Sequence, residues 1–112
     1  MLLNKLVLSA ISFCASVTLA NGAEICPLKP GNSLQYLDVF DGSPDEQATL
    51  IPEQSGAQSG YWKLGYIFDA GRTVTIRCKY KNKGIEDVVI SKKIDQCDYK
   101  IDSVKGLSLN CQ

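Results

Sequence analysis

Apolar and polar residues alternate with a period of two along several stretches after residue 33, and this alternation predicts β-strands that bury one face. The clearest stretches are residues 61–68 and 73–80, and a Gly-containing turn between them predicts a β-hairpin. Their apolar faces carry Trp62, Leu64, Tyr66 and Phe68 in the first strand and Val74, Ile76, Cys78 and Tyr80 in the second. Shorter runs predict strands at 34–40, 85–90, 95–101 and 107–111. About six or seven strands, spaced roughly 8–12 residues apart, are typical of a small, mostly β protein with an antiparallel sandwich or barrel fold.

The segment between the first strand and the hairpin predicts one short helix and one loop. Ser43, Pro44 and Glu46 suit the N-cap, first and third positions of a helix, and Pro52 limits this helix to residues 44–50. Residues 53–60 contain no large apolar side chain, which favours a flexible, exposed loop.

Residues 1–23 predict a secretory signal peptide. Lys5 precedes an apolar stretch at residues 6–19, and small residues follow at 20–23. Cleavage after Ala20 or after Ala23 fits this pattern, and we prefer Ala23 because Glu24 then begins a polar chain. An uncleaved membrane anchor is the weaker interpretation, since a spanning helix needs about 20 apolar residues. The mature protein is then expected to be residues 24–112, a size typical of one domain.

Four cysteines remain once Cys14 leaves with the signal peptide: Cys26, Cys78, Cys97 and Cys111. An even number of cysteines in an exported domain predicts a disulfide framework. Three pairings are possible, and we favour Cys97–Cys111, whose members flank a short pair of strands, together with Cys26–Cys78. A metal site or a redox role is disfavoured because both usually need closely spaced cysteines, and no C-x-x-C motif is present.

Composition excludes several classes of protein. The chain has 112 residues, with 12 basic and 12 acidic side chains and no histidine. A net charge of zero excludes attachment to nucleic acid by bulk charge, and the lack of histidine excludes His-based catalysis and His-ligated zinc. The adjacent carboxylates at 45–46 and 86–87 fit a helix N-terminus and a strand start, so we expect no enzyme activity and no cofactor.

Charged residues are unevenly distributed, which suggests where a partner binds. Residues 24–75 contain seven acidic and three basic residues. The acidic residues between Asp41 and Glu53 would steer a basic protein partner, and the 53–60 loop together with Tyr61 would form a plug. The predicted partner-binding residues are Asp41, Asp45, Glu46, Glu53, Gln54, Gln58 and Tyr61. Trp62, by contrast, is expected in the core because it alternates in phase with the apolar face.

A basic stripe is the alternative binding site. Arg77, Lys79, Lys81 and Lys83 recur every second residue, which predicts one basic face on a strand and the turn after it. Such a face would attract an acidic partner, anionic headgroups or a cell-wall polymer. The structural alternative is a solvent-facing strand whose lysines protect a sheet edge from pairing.

Several short motifs together resemble a known family. They are Ile25-Cys26-Pro27, residues 37–44 with Glu46, Ala48, Leu50 and Pro52, then Trp62, Ile76-Arg77-Cys78-Lys79-Tyr80 and Cys97. These motifs resemble a family of small exported proteins of Gram-negative bacteria, some of which are encoded in or beside type VI secretion gene clusters. The family has no established catalytic residues.

The resemblance implies a periplasmic protein and, for some members, a role in immunity or inhibition against an exported effector. We therefore expect a periplasmic, non-enzymatic binding protein that occludes an effector enzyme. The alternative is an envelope accessory protein that binds cell wall or membrane through the basic stripe.

Overall fold

The computed structural model describes residues 23–104 and 106–112. The predicted signal peptide therefore lies outside the described residues, apart from Ala23. The elements, in chain order, are β1 (Ala23–Glu24), β2 (Leu34–Asp41), a 3-10 turn (Pro44–Glu46), β3 (Gln54–Ser55), β4 (Ser59–Lys63), α1 (Gly65–Asp69), β5 (Val74–Tyr80), β6 (Ile85–Ile90), β7 (Gln96–Asp102) and β8 (Gly106–Cys111).

The strands form two antiparallel sheets. One sheet has five strands in the order β1-β8-β7-β4-β3, and the other has three in the order β2-β5-β6. Neither sheet closes on itself within the described residues, so the architecture is sandwich-like and not a closed barrel. The predicted fold class, mostly β and antiparallel with one short helix, is confirmed.

The core lies between the inner faces of the two sheets. Its centre is β5, where Val74, Ile76 and Cys78 are fully buried. Leu64 and Leu109 are also fully buried and belong to the same cluster. Because burying one such side chain stabilises the fold by about 1.5–3 kcal/mol, these few residues supply much of the stability of a small domain.

Both favoured disulfides are present. Cys26 is bonded to Cys78 over a sequence separation of 52 residues, and Cys97 is bonded to Cys111 over 14 residues. The first bond connects the segment after β1 to β5. β1 belongs to the five-stranded sheet and β5 is the central strand of the other sheet, so this bond links the two sheets. The second joins directly opposed residues of β7 and β8.

The hairpin predicted from residues 61–68 and 73–80 is wrong. β4 ends at Lys63, and residues 65–69 form α1. β4 pairs with β3 and β7, while β5 pairs with β2 and β6. The reason is an ambiguous pattern, because Leu64, Ile67 and Phe68 also follow the i, i+3, i+4 spacing of a helix. That set faces the core, and Tyr66, which strand alternation would bury, is exposed.

The predicted helix at 44–50 is shorter than expected. Pro44 begins a single 3-10 turn, which ends where Gln47 adopts a left-handed conformation with a φ of 58°. The next residues run along the edge of β2, where Leu50 N–H donates to the Val39 carbonyl at 2.8 Å. This segment covers that edge of the three-stranded sheet and leads the chain to β3.

Candidate functional site

Residues 53–60 form a β-hairpin and not the flexible loop that the sequence suggests. Gln54 pairs with Tyr61 and Ser55 with Gly60, and Gly56 N–H donates to the Ser59 carbonyl at 2.8 Å to close the turn. The predicted exposure is nevertheless present, since residues 53–59 are all exposed. The hairpin therefore offers polar groups to solvent from a defined backbone.

Tyr99 of β7 anchors this hairpin from the inner face of the sheet. Its hydroxyl donates to the Gly56 carbonyl at 2.9 Å and lies 3.3 Å from the Ser55 hydroxyl. Its ring packs at a tilt against Trp62, with 5.6 Å between ring centroids. Sequence reasoning did not single out Tyr99, although its phase with Cys97 in an alternating run indicates an inward side chain.

The close approach of Tyr99 requires a glycine at position 60. A Cβ at this position would lie 2.4 Å from the Tyr99 ring and 2.3 Å from the Gln54 carbonyl oxygen. We expect Gly60→Ala to lower the free energy of unfolding by about 1–3 kcal/mol, because the hairpin must shift to admit the methyl group. Urea denaturation measures this loss, with the exposed Ser59→Ala as the matched control. Equal stability of the two variants would contradict the packing described.

The outer face of the same sheet carries a polar depression beside the hairpin. Gln54, Tyr61, Asp98 and Asn110 are aligned across four strands, and with Lys100 they line a depression of about 460 Å³. Tyr61 is half-buried there and is the one aromatic residue of this row. The predicted partner-binding residues Gln54 and Tyr61 are therefore adjacent.

Trp62 points the other way, into the core. It is almost fully buried, and its indole N–H donates to the Leu50 carbonyl at 3.2 Å. The predicted core position is confirmed, and the bond ties the segment before β3 to β4.

The predicted acidic residues do not gather around the hairpin. Glu53 is at its base, where its carboxylate accepts a hydrogen bond from Lys63 N–H at 2.7 Å. Asp41, Asp45 and Glu46 lie at the end of β2 on the other sheet, and residues 47–52 separate them from the hairpin in the chain. Asp41 is ion-paired with Arg72. Asp45 and Glu46, in the 3-10 turn, are exposed.

Two of the four residues in the predicted basic stripe are ion-paired within the chain. Arg77 forms two hydrogen bonds with Asp87, at 2.8 and 2.9 Å, and Lys79 lies 2.9 Å from the carboxylate of Asp38. Lys81 and Lys83 follow β5, in the turn before β6. In the structural alternative, Arg77 and Lys79 do lie on the outward face of the strand, but they protect no sheet edge, because β5 is the central strand of its sheet.

The bond with Arg77 lowers the pKa of Asp87, since the guanidinium favours the charged carboxylate. The pKa of Asp87 is lower in the folded chain than in the unfolded chain, where it is about 4. The pair therefore stabilises the fold at pH values above about 4. This contribution is lost as the pH falls through the folded value. The effect is small because the Asp87 side chain is 37% exposed and solvent screens the pair.

We therefore expect wild-type protein to lose stability below about pH 4 more steeply than the Asp87→Asn variant does. Urea denaturation at a series of pH values between 2 and 6 measures the difference. Identical acid dependence of the two proteins would show that the pair contributes nothing to folding.

A groove lies at the N-terminal segment. It has a volume of about 1090 Å³ and is lined by Glu24, residues 26–34, residues 80–82 and part of β8. Lys29 lies there, and its bond with Glu86, 2.9 Å long, raises the pKa of the ammonium group. The Tyr80 hydroxyl donates to the Pro27 carbonyl, so these contacts fix the segment on the three-stranded sheet.

The described residues contain neither a metal-binding cluster nor a long apolar helix. Within 23–104 and 106–112, no three His, Cys, Asp or Glu side chains come together in a way that would hold a metal ion. No helix in the same ranges is long and apolar enough to cross a membrane.

Comparison with known proteins gives one match. No curated protein and no solved structure is significantly similar to the chain. One family profile, described as type VI secretion system Tli immunity protein, matches residues 29–112. The matched range includes the strands β2 to β8 and three of the four disulfide-bonded cysteines; Cys26 lies before it. The match confirms the resemblance to proteins encoded near type VI secretion clusters, and the chain belongs to the type VI secretion system Tli immunity protein family.

Proposed function

We propose that this protein is a non-enzymatic immunity protein of the periplasm, which binds an effector enzyme and blocks its active site. The observation that carries the proposal is the family match over residues 29–112. An immunity protein acts on a protein partner, so the proposal requires an exposed binding surface and no reaction centre of its own.

Export to the periplasm is supported by the disulfides and by the predicted signal peptide at residues 1–23. Disulfides form and persist in oxidising compartments, and both bonds here join buried cysteines of the core. We infer that residues 24–112 act there as a single mature domain.

The β3–β4 hairpin suits the role of the plug. Residues 53–59 are exposed, and the hairpin backbone is already fixed by Tyr99 and by the hydrogen bond from Ile101 N–H to the Gln58 carbonyl at 2.7 Å. A surface ordered before binding loses little conformational entropy in the complex. Tyr61 would be the aromatic anchor, and Asp45 and Glu46 would steer a basic partner towards the protein.

A substitution at Tyr61 tests this surface. We expect Tyr61→Ala to weaken binding of the type VI effector enzyme that this chain is proposed to inhibit at least tenfold, because an interface tyrosine is often a hot spot. Titration calorimetry with the purified enzyme measures this, and Tyr66→Ala, an exposed tyrosine on α1, is the matched control. Deletion of residues 53–60 is less informative, since it would remove β3 and the start of β4.

An equal effect of the two tyrosine substitutions would contradict the assignment of the hairpin. The envelope-binding alternative has less support from the geometry, because two of its four basic residues are ion-paired within the chain.

A further inference from the structure

The outer face of the three-stranded sheet carries large apolar side chains that the fold does not bury. Tyr36, Ile85 and Val89 are 61%, 58% and 63% exposed. The strand register places all three on the side of the sheet that faces away from the core. Tyr36 and Ile85 are aligned on either side of Lys79, and Val89 is opposite Thr75. One face of a single small sheet therefore gathers three of the exposed large apolar residues.

The charges on this face are already matched within the chain. Lys79 pairs with Asp38, and Arg77 pairs with Asp87. Arg77 also lies over the ring of Phe40, 5.5 Å from its centroid. On this face the exposed apolar side chains are therefore what a partner protein could still bury. Tyrosine and arginine, both present here, are enriched in the centres of interfaces.

The edge of the same sheet is open at β6. Tyr80 N–H donates to the Gly84 carbonyl, so Tyr80 and Gly84 form a hydrogen-bonded pair. By alternation, the backbone groups of Glu86, Val88 and Ile90 point to β5, and those of Ile85, Asp87 and Val89 point away.

No backbone group in the described ranges pairs with this outer side of β6, whereas residues 48–50 cover the opposite edge at β2. An open apolar edge of this kind is a template for an added strand. The backbone groups that point outward belong to Ile85 and Val89 among others, so one added strand would meet both the edge and the exposed apolar side chains.

A second copy of the chain fits this edge poorly. Two β6 strands that pair antiparallel and use all three outward residues would place one Asp87 directly opposite the other. Like charges directly opposed across two strands are destabilising. The Asp87 carboxylate, which Arg77 contacts from β5, instead favours a partner strand with an uncharged or basic residue at that position.

We propose that β6 accepts an extended segment of the effector as an additional antiparallel strand, with apolar side chains packed on Ile85 and Val89 and an uncharged or basic residue opposite Asp87. This inference rests on the proposed function and adds a second contact with the same effector. Main-chain hydrogen bonds at positions 85, 87 and 89 would supply affinity, and the apolar side chains would set the register.

Val89→Lys tests the proposal, because a lysine on the edge blocks strand addition. With the same purified type VI effector enzyme as probe, calorimetry should show binding at least 50-fold weaker than wild type. Ile85→Lys should behave in the same way and serves as the second variant if the first fails to fold. Ile51→Lys, at a residue that is 84% exposed outside this face, is the matched control and should bind within threefold of wild type.

Amide hydrogen exchange provides an independent readout. Complex formation should slow exchange at Ile85, Asp87 and Val89 at least tenfold. Wild-type affinity in both lysine variants would overturn the β6 inference and leave the immunity function standing. A wild-type chain that does not bind the enzyme would remove the proposed function itself, and the inference with it. A dimer of the chain alone that Val89→Lys dissociates, seen by sedimentation, would overturn the inference in favour of self-pairing.

Discussion

Replacing Cys26 and Cys78 together by alanine is expected to lower the free energy of unfolding by about 4 kcal/mol. The bond closes a separation of 52 residues, and breaking it releases a long loop in the unfolded chain. Both residues are buried, so the substitutions also remove packing between the N-terminal segment and β5. A loss of this size approaches the whole stability of a small domain.

Urea denaturation of the oxidised protein measures this loss. The double variant of Cys97 and Cys111 is the matched control, because its bond spans 14 residues and should contribute about 3 kcal/mol. The long-range bond is therefore expected to contribute more to stability than the local one. The reverse order would show that loop closure is not what these bonds supply.

Leu64→Ala is expected to destabilise the protein by about 2–5 kcal/mol. Leu64 is fully buried between the end of β4 and α1, and its N–H donates to the Asp95 carbonyl at 2.8 Å. Removing its side chain leaves a cavity in the core at the point where the strand becomes a helix.

Chemical denaturation of both the variant and a control measures the cost of this cavity. Leu28→Ala, at a leucine that is 86% exposed, should change stability by less than about 0.5 kcal/mol. A Leu64→Ala variant as stable as the Leu28→Ala variant would refute the core described above.

The strands were predictable where alternation was strict, and their partners were not. Residues 74–80 alternate cleanly and form β5. Period-two alternation identifies the buried face of a strand, but it does not identify the neighbouring strand. β5 consequently pairs with β2, more than 30 residues earlier in the chain, and not with residues 61–68. The apolar residues of 61–68 fit both the period of a strand and the period of a helix. Residues 65–69 form a helix because Ile67 then packs against the core.

The sequence predicts that the candidate site is exposed, but it does not predict that its backbone forms a fixed hairpin. The polar composition of residues 53–60 indicates exposure, but the hairpin is held by Tyr99, which lies 43 residues after Gly56. Likewise the run of basic residues gives a charge pattern, whereas the carboxylates that neutralise Arg77 and Lys79 come from neighbouring strands. Only the register of the sheet brings these pairs together.

Protection from the effector in living cells tests the central claim most directly. Bacteria that direct the type VI effector enzyme to their periplasm would be grown with the full chain or with residues 24–112 made without a leader. We predict that the full chain restores growth and that the leaderless form, kept in the cytoplasm, does not. Failure of the full chain to protect, or equal protection by both forms, would contradict a periplasmic immunity protein.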